Sequence, residues 1–274
     1  MEFRSINDLN KLIQKNLYKF QNIDLIVGVP RSGMLPANLL ALYLNRPLTD
    51  IDSFLEGKIY SHGYRIENTN YKNVLIVDDS INSGRELSNT KLKLKDKSKT
   101  FNLIFCAIFA KSHNKNLIDI YLEIVDGSRV FEWNVFQHPI LEKSCVVIDG
   151  VLCSDPSSEE NDDGEKYHKF LLTAKPKFIP TIKIKTLISC RLEKYRNETI
   201  FWLQKHNIRY DNLILLNLPD AYSRRKWGKY GEYKANEYKK INYDFFIESS
   251  LAEAKIIKEK TEKPVFCVEI MNLI

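Results

Sequence analysis

One stretch limits what this chain can become: Val74 to Leu87, which reads VLIVDDSINSGREL. Its four apolar residues, Val74 to Val77, have the composition of a strand buried on both faces, as in a parallel sheet. The run breaks into two adjacent carboxylates, Asp78 and Asp79. A small polar loop of Ser80, Ile81, Asn82, Ser83 and Gly84 then leads into a helix-compatible segment starting at Arg85. Helix N-terminal amides would there meet an anion. The plainer reading is a strand-to-helix turn with an acidic cap, a common element of α/β proteins.

The preceding residues repeat the pattern. Ser5 can cap a helix with apolar positions Ile6, Leu9, Leu12, Ile13 and Leu17. A second buried-strand run, Ile23 to Val29, breaks into GVPRSG (Gly28 to Gly33) before an apolar helix from Leu35 to Leu44. Its glycines permit close backbone approach, and Arg31 is a fixed cation. Between the two loops lies LEGKIYSHGYRI, Leu55 to Ile66, where Lys58, His62 and Arg65 stand among glycines. It reads as a mobile cover or as a solvated hairpin tip. Glu86 to Leu94 follows as a helix, with strands at Asn102 to Ala110 and Ile118 to Val125. This alternation implies an α/β fold with a parallel, doubly wound sheet whose carboxyl edge carries both loops.

On VLIVDDSINSG and GVPRSG, the first half resembles the type I phosphoribosyltransferases, enzymes that use phosphoribosyl diphosphate (PRPP). The resemblance implies an enzyme in which Asp78 and Asp79 hold the ribose 2- and 3-hydroxyls. Ser80, Ile81, Asn82, Ser83, Gly84 and Arg85 would hold the 5-phosphate. Pyrophosphate would be received by Pro30, Arg31, Ser32 and Gly33, with Arg31 a catalytic cation, and Lys58 and His62 would close over it. Mg2+ is expected with PRPP, with no direct protein ligand assigned. RVFEWNVFQHP, Arg129 to Pro139, resembles an acceptor-side segment in which Trp133 either stacks on the acceptor or serves as a core aromatic. One departure stands out, because 6-oxopurine relatives carry an aspartate where this chain has Asn82, and an amide cannot take the base's proton. The pattern is closer to bacterial enzymes that donate phosphoribofuranose to a glycan hydroxyl in surface polysaccharide synthesis. The alternatives are a purine- or orotate-type nucleobase transferase and a non-catalytic PRPP-sensing regulator.

From Ser144 the pattern restarts with a strand, Cys145 to Ile148. VVIDGVLC resembles the opening motif of the haloacid dehalogenase (HAD) phosphatases, with Val147 at the nucleophile position and Asp149 at the acid/base position. Ser189 in TLIS, Lys234, and Glu248 in FFIESS fit the later motifs, whereas Ser249 replaces the second magnesium carboxylate. The resemblance implies a HAD-like Rossmannoid domain that has lost phosphatase chemistry. Ser189 and Lys234 would bind a phosphate or persist only as a cap and a surface charge. The expected domains are residues 1–140 and 141–274, with the boundary between Phe136 and Ser144. SDPSSEENDDGEK, Ser154 to Lys166, reads as a solvated excursion. Arg224, Arg225 and Lys226 read as a solvated face or a contact for an anionic acceptor.

Composition sets the remaining limits. A chain of 274 residues favours two domains, and 44% hydrophobic with 28% charged residues is ordinary for a globular protein. The net charge of +6 mildly favours anionic substrates, and no nucleic-acid module is recognisable. Cys106, Cys145, Cys153, Cys190 and Cys267 lack metal-type spacing and read as reduced core residues. No secretory signal is evident, and the longest apolar segment, Phe101 to Ala110, is too short to span a bilayer. A cytoplasmic enzyme is expected, at most peripheral at the inner membrane surface, and a homodimer is compatible with it.

Overall fold

The computed structural model describes residues 1–60, 70–240, 243 and 245–274, and the chain divides into two compact units, Met1–Arg129 and Val130–Ile274. The first begins with α1 (Ile6–Lys15). Ser5 Oγ accepts from the Asp8 amide while the Asp8 carboxylate accepts from the Ser5 amide, a reciprocal cap that stabilises the helix by about 1 kcal/mol. Leu9 and Ile13 form its buried stripe.

Five parallel strands follow: β1 (Leu25–Gly28), β2 (Leu48–Asp50), β3 (Asn73–Ser80), β4 (Asn102–Ala110) and β5 (Ile120–Ile124). Their spatial order is β2-β1-β3-β4-β5. Helices α2 (Met34–Leu44), α3 (Ile51–Leu55) and α4 (Arg85–Lys93) follow the first three strands. Leu25, Val27, Val74 and Ile76 are buried together with Phe54 and Leu94, each contributing roughly 1.5–3 kcal/mol. The chain leaves β1 toward β2 and returns on its other side as β3, so the order reverses between β1 and β3. That reversal opens a crevice at the carboxyl ends of these strands. Gly28 pairs with Val77 there, which sets the GVPRSG loop beside Asp78.

Strand β3 runs further than the apolar pattern suggests. Asp78 pairs with Ala107 and Ser80 with Phe109, so both acids lie within the ladder rather than beyond it. Strand periodicity therefore sends their side chains to opposite faces.

The second unit is a six-stranded sheet of β6 (Ser144–Val147), β7 (Ile184–Leu192), β8 (Tyr210–Leu216), β9 (Phe245–Glu248), β10 (Val265–Cys267) and β11 (Asn272–Leu273). The order is β8-β7-β6-β9-β10-β11, parallel except for the β10–β11 pair. Helices α5 (Glu165–Thr173), α6 (Arg196–Lys205), α7 (Ala221–Trp227), α8 (Tyr230–Lys240) and α9 (Leu251–Thr261) connect it. Here the order reverses between β6 and β9. The unit starts earlier than residue 141 because residues 130–140 pack within it: Phe136 stacks on Phe178 at 3.9 Å and Gln137 Nε2 donates to the Ile179 carbonyl at 3.1 Å.

Two surface expectations are refined. The acidic stretch is largely exposed, as expected of a solvated excursion, but it is anchored at one point, where Asp163 accepts from Lys194 Nζ at 2.8 Å, Tyr195 Oη at 2.7 Å and the Ala221 amide at 3.0 Å. Arg224 is only 7% exposed, while Arg225 and Lys226 stay exposed. An arginine whose planar fork finds acceptors can be buried where a lysine-type point charge stays hydrated. All five cysteines are free, and four are buried. Among the described residues no helix is long and apolar enough to cross a membrane.

Candidate functional site

In the first unit, Asp78 and the turn Ser80 to Gly84 surround a cavity of about 130 Å³ floored by Cys106 and Ala107 of β4. Gly84, at φ +77°, makes the turn into α4, and a side chain there would also meet Leu117. Asn82, Ser83 and Arg85 are exposed around it, and Ile81 is buried beneath. Gly33 seats the second loop: a Cβ on it would lie 2.6 Å from the Val29 carbonyl, 2.7 Å from the Val77 carbonyl and 2.9 Å from Asp78 Cα. Backbone contacts that short leave room only for glycine. Pro30, Arg31 and Ser32 therefore follow β1 next to the strand at Asp78, outside the lining of that cavity, with Pro30 and Arg31 exposed and joined by a cis peptide bond.

The two acids differ. Asp79 is 4% exposed, whereas Asp78 is half-buried and lines the cavity, accepting a 2.8 Å hydrogen bond from the Asp79 amide. Burial, followed by the charge of Asp79, pushes the Asp78 carboxyl up to about 7. A carboxyl with a raised native pKa holds a proton in the folded state that it loses on unfolding. Its contribution to stability is therefore present at low pH and lost as pH rises from about 4 to about 7. Asp78→Asn is thus expected to unfold with the wild type at pH 4 but to be more stable by on the order of 1–2 kcal/mol at pH 8, measured by thermal melts across that range.

Two residues not recognisable from sequence hold the turn. The Asn114 amide, 5% exposed, donates to the Asn82 carbonyl, and Arg129 Nη2 donates to the Ile81 carbonyl at 2.7 Å. Burial draws the Arg129 guanidinium below its usual value, and the charges of Asp79 and Asp78 oppose that. With the Ile81 and Asn82 carbonyls fastened and the Ile81 amide donated to the Phe109 carbonyl, the exposed Asn82 and Ser83 lead directly into α4, where helix N-terminal amides can meet an anion. Lys58 is exposed and paired with Glu56 at 2.6 Å, and His62 lies outside the described residues. Trp133 belongs to the second unit, where it stacks on Phe131 at 4.6 Å.

In the second unit, the residues at the β6–β9 reversal are engaged with one another. Asp149 receives Arg191 Nε at 3.0 Å and Nη2 at 2.7 Å, with Ser189 Oγ at 3.2 Å. Arg191, fully buried, is a further residue missed in sequence; a cation inside the apolar run TLISCRL was the available signal. Burial alone would raise the Asp149 carboxyl, but the charge and hydrogen bonds of Arg191 outweigh it and hold the group below the carboxylate range. Lys234 Nζ sits 2.7 Å from both Glu248 and Glu253, and their charges outweigh the burial that would lower its pKa. Glu248 also accepts from the amide and hydroxyl of Ser249. Val147 lines a cavity in this unit, together with Asp149, Ser189, Arg191 and Lys234, with an apolar side chain. Among the described residues, no group of three or more His, Cys, Asp or Glu side chains is placed to hold a metal ion.

A family model described as a phosphoribosyl transferase domain matches residues 3–142. No curated protein matches the chain. Among solved structures, a purine phosphoribosyltransferase from Pyrococcus horikoshii is 23% identical over 48% of this chain and 92% of its own, with a TM-score of 0.36. A xanthine-guanine-hypoxanthine phosphoribosyltransferase from Helicobacter pylori is 20% identical over 49% and 93%, with a TM-score of 0.40. An orotate phosphoribosyltransferase from Aeropyrum pernix is 18% identical over 42% and 68%, with a TM-score of 0.31.

Proposed function

The chain belongs to the phosphoribosyl transferase domain family, and on that premise we propose that it transfers 5-phosphoribose from PRPP to a glycan hydroxyl, displacing pyrophosphate from ribose C1. The observation that carries the donor half is the cavity lined by Asp78 and the Ser80–Gly84 turn, with the GVPRSG loop packed through Gly33 against the same strand at Asp78. The turn's amides and the hydroxyls of Ser80 and Ser83 take the 5-phosphate. Asp78, with Asp79 behind it, accepts from the ribose hydroxyls and orients the ring as positive charge develops at C1. Arg31, exposed on that loop, meets the departing pyrophosphate.

Mg2+ suits this donor set as a guest of the substrate. A hard cation takes oxygen ligands, and the protein offers the Asp78 carboxylate at the cavity without a closed cage, so diphosphate and water would fill the remaining positions. When bound it neutralises charge on the leaving diphosphate. The residues of the chain do the rest: they bind, orient and exclude.

Asn82 favours the glycan acceptor. It is exposed on the turn and its amide cannot serve as the base that a purine requires. Pyrophosphate release measured with PRPP, Mg2+ and separately a hydroxyl-bearing oligosaccharide, a purine or orotate tests the assignment. Release with a nucleobase alone overturns the glycan reading in favour of nucleobase transfer. PRPP binding without release under any condition makes the chain a regulator. Asn114→Ala, which frees the Asn82 carbonyl, is expected to raise the KM for PRPP about tenfold with a smaller change in kcat, as for losing one well-placed hydrogen bond in steady-state kinetics.

We read the second unit as a HAD-like domain without phosphatase activity. Val147 offers no nucleophile, and Asp149 and Glu248 are committed to Arg191 and Lys234. The cytoplasm, where PRPP-dependent chemistry occurs, is the proposed location.

A further inference from the structure

The second unit contains a cavity of about 280 Å³ at the carboxyl ends of β6, β7 and β9, walled by Asp149, Asp155, Tyr167, Arg224, Tyr230 and Glu253 among others. We propose that this cavity binds a neutral, hydroxyl-rich ligand of monosaccharide size and excludes phosphate.

Charge argues first. Arg191 is committed to Asp149, and Lys234 is shared between Glu248 and Glu253. Arg224 donates to the Cys190 carbonyl at 3.4 Å and to Asn161 Oδ1, and its guanidinium lies 5.7 Å from the Tyr167 ring centre. The three lining cations thus face three lining carboxylates, Asp149, Asp155 and Glu253, and behind them Glu248 is matched by Lys177, whose charge acts on Asp155. With its charges balanced, the region lets a phosphate gain a cation only by breaking a buried ion pair or by taking Arg224 from its acceptors, a loss larger than the bond it would form.

Hydrogen-bonding capacity argues second. The Asp155 carboxylate accepts no hydrogen bond from any described residue. The Glu253 side chain is a quarter exposed; its Oε2 is held against Lys234 Nζ at 2.7 Å, while its other oxygen receives no hydrogen bond from any described residue. Both acids line the cavity, so the wall holds unused acceptors and lacks spare cations, a pattern that selects hydroxyl donors. Tyr230, part-exposed, adds ring surface for the apolar face of a sugar. The volume is near the lower end for small-molecule pockets, which suits a single ring.

The test is saturation-transfer NMR on the full chain, with D-ribose, D-galactose and N-acetylglucosamine as probes and inorganic phosphate as competitor. At least one probe is expected to bind at a Kd of ~1 mM. Asp155→Ala and Glu253→Gln should each weaken it about tenfold, as for one hydrogen bond to a charged group. Asp155 is exposed and Glu253→Gln leaves Lys234 its Glu248, so both variants are expected to stay folded in thermal melts. Phosphate should not displace the sugar. The proposal is overturned by no binding of any probe, by displacement with phosphate, or by binding that both variants leave intact. It stands apart from the PRPP reading: Asp78→Asn/Asp79→Asn should keep the sugar. Loss of sugar binding in that variant would place the ligand in the first unit and overturn the assignment.

Discussion

Replacing Asp78 and Asp79 together by asparagine is expected to weaken PRPP binding by at least ~100-fold in calorimetry and to abolish measurable pyrophosphate release. Hydrogen bonds to a charged group contribute about 1.5–3 kcal/mol each, so losing two removes about 3–6 kcal/mol. That corresponds to ~100-fold to more than 10⁴-fold in affinity. Asparagine keeps the shape and the acceptor for the Asp79 amide, so the fold should persist, and the pH 8 melt should still show the gain expected from removing the Asp78 charge. The single variants should not be equal. Asp78 lines the cavity and Asp79 is buried behind it, so Asp78→Asn should account for most of the loss. Unchanged PRPP affinity in the double variant would remove the basis for the donor assignment.

The second large effect is on stability. Asp149→Ala leaves Arg191, fully buried, without the carboxylate that receives its Nε and Nη2. Breaking a buried pair from one side costs about 3–5 kcal/mol, a large part of the 5–15 kcal/mol that holds a typical domain folded. Asp149→Ala is therefore expected to lower the denaturation midpoint of the second unit sharply. Asp149→Ala/Arg191→Met, which removes the stranded charge and fills its volume, should recover most of the loss. Chemical denaturation followed by tryptophan fluorescence separates the outcomes, because Trp202 is buried in this unit and bonded to the Ala174 carbonyl at 2.8 Å. If the single variant melts like the wild type, the Arg191–Asp149 pair is not what organises this centre.

Much of the architecture was legible in one dimension. VLIV followed by acids and a glycine turn could be read as a strand, loop and helix because burial on both faces demands a continuous apolar run and because Gly84 must take a positive φ. The strand at Asn102 to Ala110 and the cap at Ser5 follow from equally local causes. The true end of β3 was not legible, since pairing of Asp78 with Ala107 and Ser80 with Phe109 is decided by the neighbouring strand. Arg129 and Asn114 reach carbonyls 48 and 32 residues away in sequence, and no local periodicity marks a side chain with such a partner.

By itself, the sequence determined the composition of both centres: paired acids before a glycine-bearing turn in the first half, and an apolar run with Val147 two residues before Asp149 in the second. These are matters of which atoms are present. Tertiary structure alone decided how those atoms are used. It turned Asp78 toward the cavity and Asp79 away, because a strand alternates its faces and the ladder continues through both. It also paired Asp149 with Arg191 and Lys234 with two glutamates, because a charge removed from water must find its opposite nearby in space, wherever that lies along the chain.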